Sequence, residues 1–266
     1  MIKCRARGEL GLILLAACAL LTACGGTEQH TRHSSSVAQP TISALPQPSS
    51  TVEPTPPSQP TPAVPVAVGE VPGNPRAAAA LRPWVQDLIG TDIDQLIGKC
   101  WTIEPAHARE MYADKADILA AVAQPGIDGQ FAVIWKGPVR SVSVKRAEIA
   151  SGYACPYVYP AGSVNFYTEA DARYAVQRYL SRWVGKPVDA DDVEGRYPLV
   201  CAGSVLANNP GRLTGVTAFG TLTSKSTGDT GAEVSGPVTN SSNVTQPMTF
   251  TLSIGAGGYC IDNISG

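Results

Sequence analysis

Eleven of the chain's 22 prolines fall between Pro40 and Pro75, interleaved with Ser, Thr, Gln and Val. Large apolar side chains are sparse in that stretch, so no core offsets the entropy of ordering it. Residues 25–75 are therefore expected to form a tether rather than a domain. Proline-rich chains favour extended polyproline II at about 3.1 Å per residue, a reach on the order of 150 Å if fully stretched. Folding is then confined to residues 76–266, enough for one sizeable domain or two small lobes around a buried core.

Ahead of the tether, Lys3, Arg5 and Arg7 form a short positive region, and residues 10–21 are almost wholly apolar. About a dozen apolar residues are too few for a stable membrane span, which needs about 20. They suit the central region of a secretory signal peptide, with small residues before the cut. The tetrad Leu21-Thr22-Ala23-Cys24 resembles a lipobox, the recognition site of bacterial lipoprotein signal peptides. The resemblance implies removal of residues 1–23, a diacylglyceryl thioether on the Cys24 sulfur, and acylation of the freed amine. One acyl chain binds a bilayer marginally, while two or three hold firmly at about 0.8 kcal/mol per buried CH₂. Lipid on Cys24 is thus expected to be the membrane anchor, on the extracytoplasmic face of the cell membrane. The high Ala, Gly, Val and Arg content is similar to that of actinobacterial lipoproteins.

Charge narrows the partners. The whole chain carries 20 Lys+Arg against 22 Asp+Glu, and losing Lys3, Arg5, Arg7 and Glu9 with the signal takes the net charge from −2 to −4. A basic face or stripe is the usual footprint of nucleic-acid binding, and a polybasic segment that of electrostatic membrane contact. Neither is expected here.

Cys4 and Cys18 leave with the signal, and Cys24 takes lipid, so Cys100, Cys155, Cys201 and Cys260 remain. An even count in an exported domain points to disulfides. Three connectivities are open. Pairing Cys100 with Cys155 and Cys201 with Cys260 is preferred because it keeps each bridge within one half of the domain. No CxxC pair occurs, and His107 is the lone histidine after the tether. Zinc sites want closely spaced Cys/His sets, so neither a metal nor a cofactor is expected.

Hydrophobic spacing outlines the elements. Leu81, Trp84, Val85, Leu88 and Ile89 recur at helical intervals, Gly90-Thr91-Asp92 interrupts, and Ile93, Leu96 and Ile97 suit a second short helix. A further helix is expected over residues 106–123, ended by Pro125-Gly126. Residues 131–135 read as a strand. A turn at Lys136-Gly137-Pro138 leads to a second strand through Val139, Val142, Val144 and Ile149, and residues 153–159 form an edge strand near Pro156. Thr168 caps a helix over residues 169–184, with Asp171 at the capping-box position. Its Arg173, Arg178 and Arg182 read as a solvated face. Strands are expected over residues 213–224, 232–239, 247–254 and 259–264, separated by turn clusters. Helices first and antiparallel strands last make the class α+β.

The closing run Thr249-Phe250-Thr251-Leu252-Ser253 … Gly258-Tyr259-Cys260-Ile261-Asp262-Asn263-Ile264 resembles the last strands of NTF2-like domains. The inserted strand pair before the 169–184 helix departs from that pattern. The resemblance implies a curved sheet wrapped on helices around a conical pocket. Some of its enzymes pair a His with an Asp as general base, and Glu110 or Asp114 lies within helical reach of His107. An exposed His107 is the expected state. No GxSxG, HExxH or GxxxxGK[ST] motif occurs, and Gly255-Ala256-Gly257-Gly258 reads as a hairpin turn. The acidic run Asp189-Ala190-Asp191-Asp192-Val193-Glu194 fits no EF-hand and reads as a solvated loop. The expected function is a non-enzymatic envelope lipoprotein that binds another envelope protein or a small ligand. The rival is a carrier or enzyme with an internal pocket, which Trp84, Trp101, Trp135 and Trp183 could line.

Overall fold

A computed structural model describes residues 67–163, 167–209 and 211–266; the signal segment, Cys24 and the tether up to residue 66 lie outside them. The last part of the expected tether is folded. Val68 and Val71 are buried, the Gly69 amide donates to Val122 O at 2.7 Å, and Gly69 O accepts from Trp135 Nε1 at 2.8 Å. A Cβ on Gly69 would lie 1.8 Å from the Gln124 carbonyl oxygen, so only glycine passes there. The packed part thus includes residues ahead of 76, because two valines and a glycine among the prolines bind back to the core.

Helix α1 (Pro75–Gly90) starts with proline at its first position, where the missing N–H costs nothing. It buries Leu81, Trp84, Val85 and Leu88 and leaves Ile89 exposed. Asp92 caps α2 (Ile93–Lys99) by accepting from the Asp94 amide at 2.8 Å. The single helix expected over 106–123 is two, α3 (Pro105–Met111) and α4 (Lys115–Val122). At the break Tyr112 is fully buried, its hydroxyl donating to Pro156 O at 2.8 Å and its ring edge-on to Trp84 at 5.0 Å. Burial of one aromatic side chain outweighs local helix propensity.

Four antiparallel strands follow in the spatial order β1 (Gly126–Asp128), β2 (Ala132–Lys136), β3 (Arg140–Lys145) and β4 (Tyr157–Pro160). The β2–β3 turn falls at Gly137-Pro138, and β4, next to Pro156, lies at the edge as its proline requires. Ile149 is not in a strand but in α5 (Arg146–Ser151). The alternating β-branched residues end at Val144, and Ala147 and Glu148, both good helix formers, follow.

The second half opens with α6 (Glu169–Trp183), where Thr168 and Asp171 form the capping box and Gly185 ends the helix at φ +72°. Five strands complete the chain: β5 (Val216–Phe219), β6 (Thr223–Ser226), β7 (Gly231–Asn240), β8 (Thr245–Gly255) and β9 (Gly258–Ser265). They make one antiparallel sheet, β5-β7-β8-β9, with β6 also on β7. The strand expected over 213–224 is split because its partner stretch contains Gly236-Pro237, and proline has no amide to continue the ladder. Gly255 and Gly258 pair across a tight β8–β9 turn.

Each half has its own core, with Trp84, Tyr112 and Trp135 central to the first and Leu180, Phe250 and Leu252 to the second; Tyr167 packs against both. Each also has its own disulfide, Cys100–Cys155 and Cys201–Cys260. The molecule is α+β and disulfide-braced, with helices and two antiparallel sheets.

Candidate functional site

Two chemically distinct places sit on α6. At its N-terminus, the seam between the halves is closed by a histidine–aspartate pair. Glu104 caps α3 by accepting from the His107 amide at 2.6 Å, which orients His107 so that Nδ1 lies 2.8 Å from Asp171 Oδ2. Asp171 also accepts from the Thr168 amide and hydroxyl, both at 2.8 Å, and from the Tyr157 hydroxyl at 3.3 Å. Burial draws the His107 pKa down, but the Asp171 hydrogen bond and the charges of Asp171, Glu110 and Glu104 more than reverse this, leaving it raised. Burial pushes Asp171 up, while the His107 and Thr168 donors outweigh it and hold the carboxyl below its usual value. The Nδ1-to-carboxylate arrangement is the one that orients a general base. Among the described residues, no Ser, Thr or Cys side chain hydrogen-bonds His107.

Beside this pair, Lys145 lies over the Tyr157 and Tyr167 rings at 4.5 and 5.4 Å. Burial draws its ammonium down to about 8, with Glu148 opposing and Arg178 assisting the shift. The chamber enclosed by Lys145, Tyr157, Tyr167, Asp171, Tyr174 and Arg178 has a volume of about 30 Å³. That is room for about one water molecule and not for a substrate. The pair acts as a clasp between α3 and α6.

The C-terminal end of α6 carries a different arrangement, and two expectations change there. Arg178 and Arg182 are not solvated: their side chains are 7% and 12% exposed, and both bond Asp192, which is wholly buried. Arg178 Nε and Arg182 Nε each reach Asp192 at 3.2 Å. Arg178 also donates to Thr102 O at 3.3 Å, with its guanidinium 5.0 Å above the Trp101 ring. Arg182 donates to Glu194 Oε2 at 2.6 Å and to Tyr197 O at 2.7 Å. The other Glu194 oxygen accepts from the Leu199 and Val200 amides at 2.9 and 2.8 Å. The acidic run after Gly185 is therefore a return loop pinned by two arginines. Asp191 stays exposed as expected, and Asp189 is half-buried. The sequence carries only a partial signal, two arginines four apart on one helix and, past a Gly/Pro turn, four acids of opposite charge, with nothing to show which of them fold back.

Between α6 and this loop lies a cleft of about 670 Å³, lined by Tyr179, Trp183, Pro187, Val193, Val200 and Leu206 together with Arg182, Asp192 and Glu194. Its size is that of a small-molecule site. Of the four tryptophans, Trp183 lines the cleft, Trp101 supports Arg178, and Trp84 and Trp135 are core. His107 lies outside the cleft. Cys201 reaches the cleft wall, while Cys100 and Cys155 brace the other half. Among the described residues, no cluster of three His, Cys, Asp or Glu side chains could hold a metal ion, and no helix is long and apolar enough to cross a membrane.

Fold and site together define a disulfide-braced α+β domain with a largely apolar cleft. The chain matches no family model, no curated protein sequence and no solved structure.

Proposed function

We propose that the chain is a bacterial lipoprotein, anchored through lipid on Cys24 to the extracytoplasmic face of the cell membrane, whose folded part binds another molecule at the α6 cleft. The observation that carries the binding half is the cleft itself: about 670 Å³, walled by apolar side chains, its charged groups satisfied by one another. The anchor rests on Leu21-Thr22-Ala23-Cys24 behind an apolar segment of the right length. Two closed disulfides suit an oxidising compartment. The NTF2-like resemblance belongs to the same reading: α6 packs on β5, β6, β7 and β9, a helix-on-sheet arrangement such as those domains use around a ligand.

Fractionation of cells expressing the native chain and Cys24→Ala tests the anchor. The native protein is expected in the membrane fraction and the variant in the soluble one. Mass analysis is expected to find an acylated Cys24 as the mature N-terminus. An unmodified terminal residue, or a precursor still carrying Met1, overturns the reading.

A further inference from the structure

We propose that the cleft at the C-terminal end of α6 binds the hydrocarbon chain of a lipid. The charged side chains that line it, Arg182, Asp192 and Glu194, are paired with one another, and Asp192 also with Arg178 behind the wall, so an ionic ligand finds no unpaired charge. Their hydrogen-bonding capacity is also used. The Arg182 guanidinium donates to Asp192, Glu194 and Tyr197 O, and both Glu194 oxygens accept from within the protein. A polar ligand entering the cleft would give up its water and find these charged groups already paired, which is unfavourable.

The same reasoning disfavours a peptide, which brings an N–H and a C=O with every residue. A hydrocarbon chain brings neither. The walls suit it: Tyr179 and Trp183 stand edge to face at 6.2 Å on one side, with Pro187, Val193, Val200 and Leu206 on the others. The rim extends the apolar surface outward, since Val193 and Val188 are 51% and 36% exposed. Leu206 forms a wall both of this cleft and of a second hollow of about 240 Å³. A polar headgroup would remain in water outside. The choice of a lipid chain over another apolar molecule rests on the reading that Cys24 holds the domain beside a bilayer.

The test uses the full chain carrying Cys24→Ala, so that its own acyl groups do not compete. Phenylnaphthylamine, a neutral apolar fluorophore, is titrated into the protein and then displaced with dodecanol. Saturable uptake at one site per chain, reversed by dodecanol, is expected. Ala202 and Ala207 line the cleft and are exposed, so Ala202→Trp and Ala207→Trp fill it without disturbing the core. Each is expected to weaken uptake at least about tenfold with an unchanged melting temperature. Val193→Glu, which places an unpaired charge on the wall, is expected to do the same.

Absence of saturable uptake overturns the proposal, as do a bound probe that dodecanol leaves in place and affinity unchanged in all three folded variants. Because Cys24 is absent from this assay, failure here leaves the anchor standing. Failure of the anchor shows only in fractionation and N-terminal mass.

Discussion

His107 Nδ1 and Asp171 Oδ2, 64 residues apart in sequence, stand 2.8 Å apart across the seam between the two halves. Both side chains are largely buried, at 11% and 4% exposed, and their pKa values move in opposite directions, His107 up and Asp171 down. The contribution of His107 is fully present below its unfolded pKa, about 6.5, and is lost as pH rises through the higher folded value. That of Asp171 is present above its unfolded pKa, about 3.9, and is lost as pH falls through the lower folded one. The clasp is therefore strongest between these limits. The urea midpoint is expected to fall between about pH 6 and about pH 8, the range below the loss of charge on Lys145, and His107→Gln should flatten that slope while costing about 1.5–3 kcal/mol at the lower pH. A slope unchanged in the variant would show that the pair is not the source.

Asp192 is the shared partner of two buried arginines. Asp192→Ala leaves both cations without their common anion and is expected to destabilise the fold by about 3–5 kcal/mol in equilibrium denaturation. Asp192→Asn keeps a hydrogen-bond acceptor and should cost less. Because the return loop carries Val193 and Glu194, both variants should also weaken binding at the cleft, a change separable from unfolding by titration well below the melting temperature.

The disulfides close loops with sequence separations of 55 and 59 residues. On the chain-entropy model each contributes about 4 kcal/mol through the unfolded state. Replacing Cys100 and Cys155 together by serine is expected to lower the denaturation midpoint accordingly while sparing cleft binding, because that bridge lies in the other half. Replacing Cys201 and Cys260 should lower both, since Cys201 is part of the cleft wall.

Gly69 passes so close to Gln124 O that a methyl group has no space. Gly69→Ala is expected to cost about 1–3 kcal/mol and to expose the strap before residue 72 to proteolysis. Limited digestion followed by N-terminal mass analysis reads this directly. A strap that stays as resistant as in the native chain would contradict the packing of Val68 and Val71.

What the amino-acid order determined by itself was local. The spacing of Leu81, Trp84, Val85 and Leu88, the capping pair Thr168 and Asp171, and the turn residues at Gly137-Pro138 and Gly255–Gly258 set their elements through backbone preferences that act within a few residues. The same holds for the α+β class; of the three cysteine connectivities left open, the structure takes the preferred one, with each bridge inside one half. Tertiary structure alone decided the rest. Tyr112 breaks a helix because its ring belongs in the core beside Trp84. Pro237 splits the strand opposite it because a ladder needs a donor on both sides. Arg178 and Arg182, unremarkable on a helix surface, become buried only because Asp192 and Glu194 fold back over them, and that return builds the cleft. His107 finds Asp171 rather than its helical neighbours for the same reason: long-range charge and burial energies depend on distances through space, which periodicity along the chain does not encode.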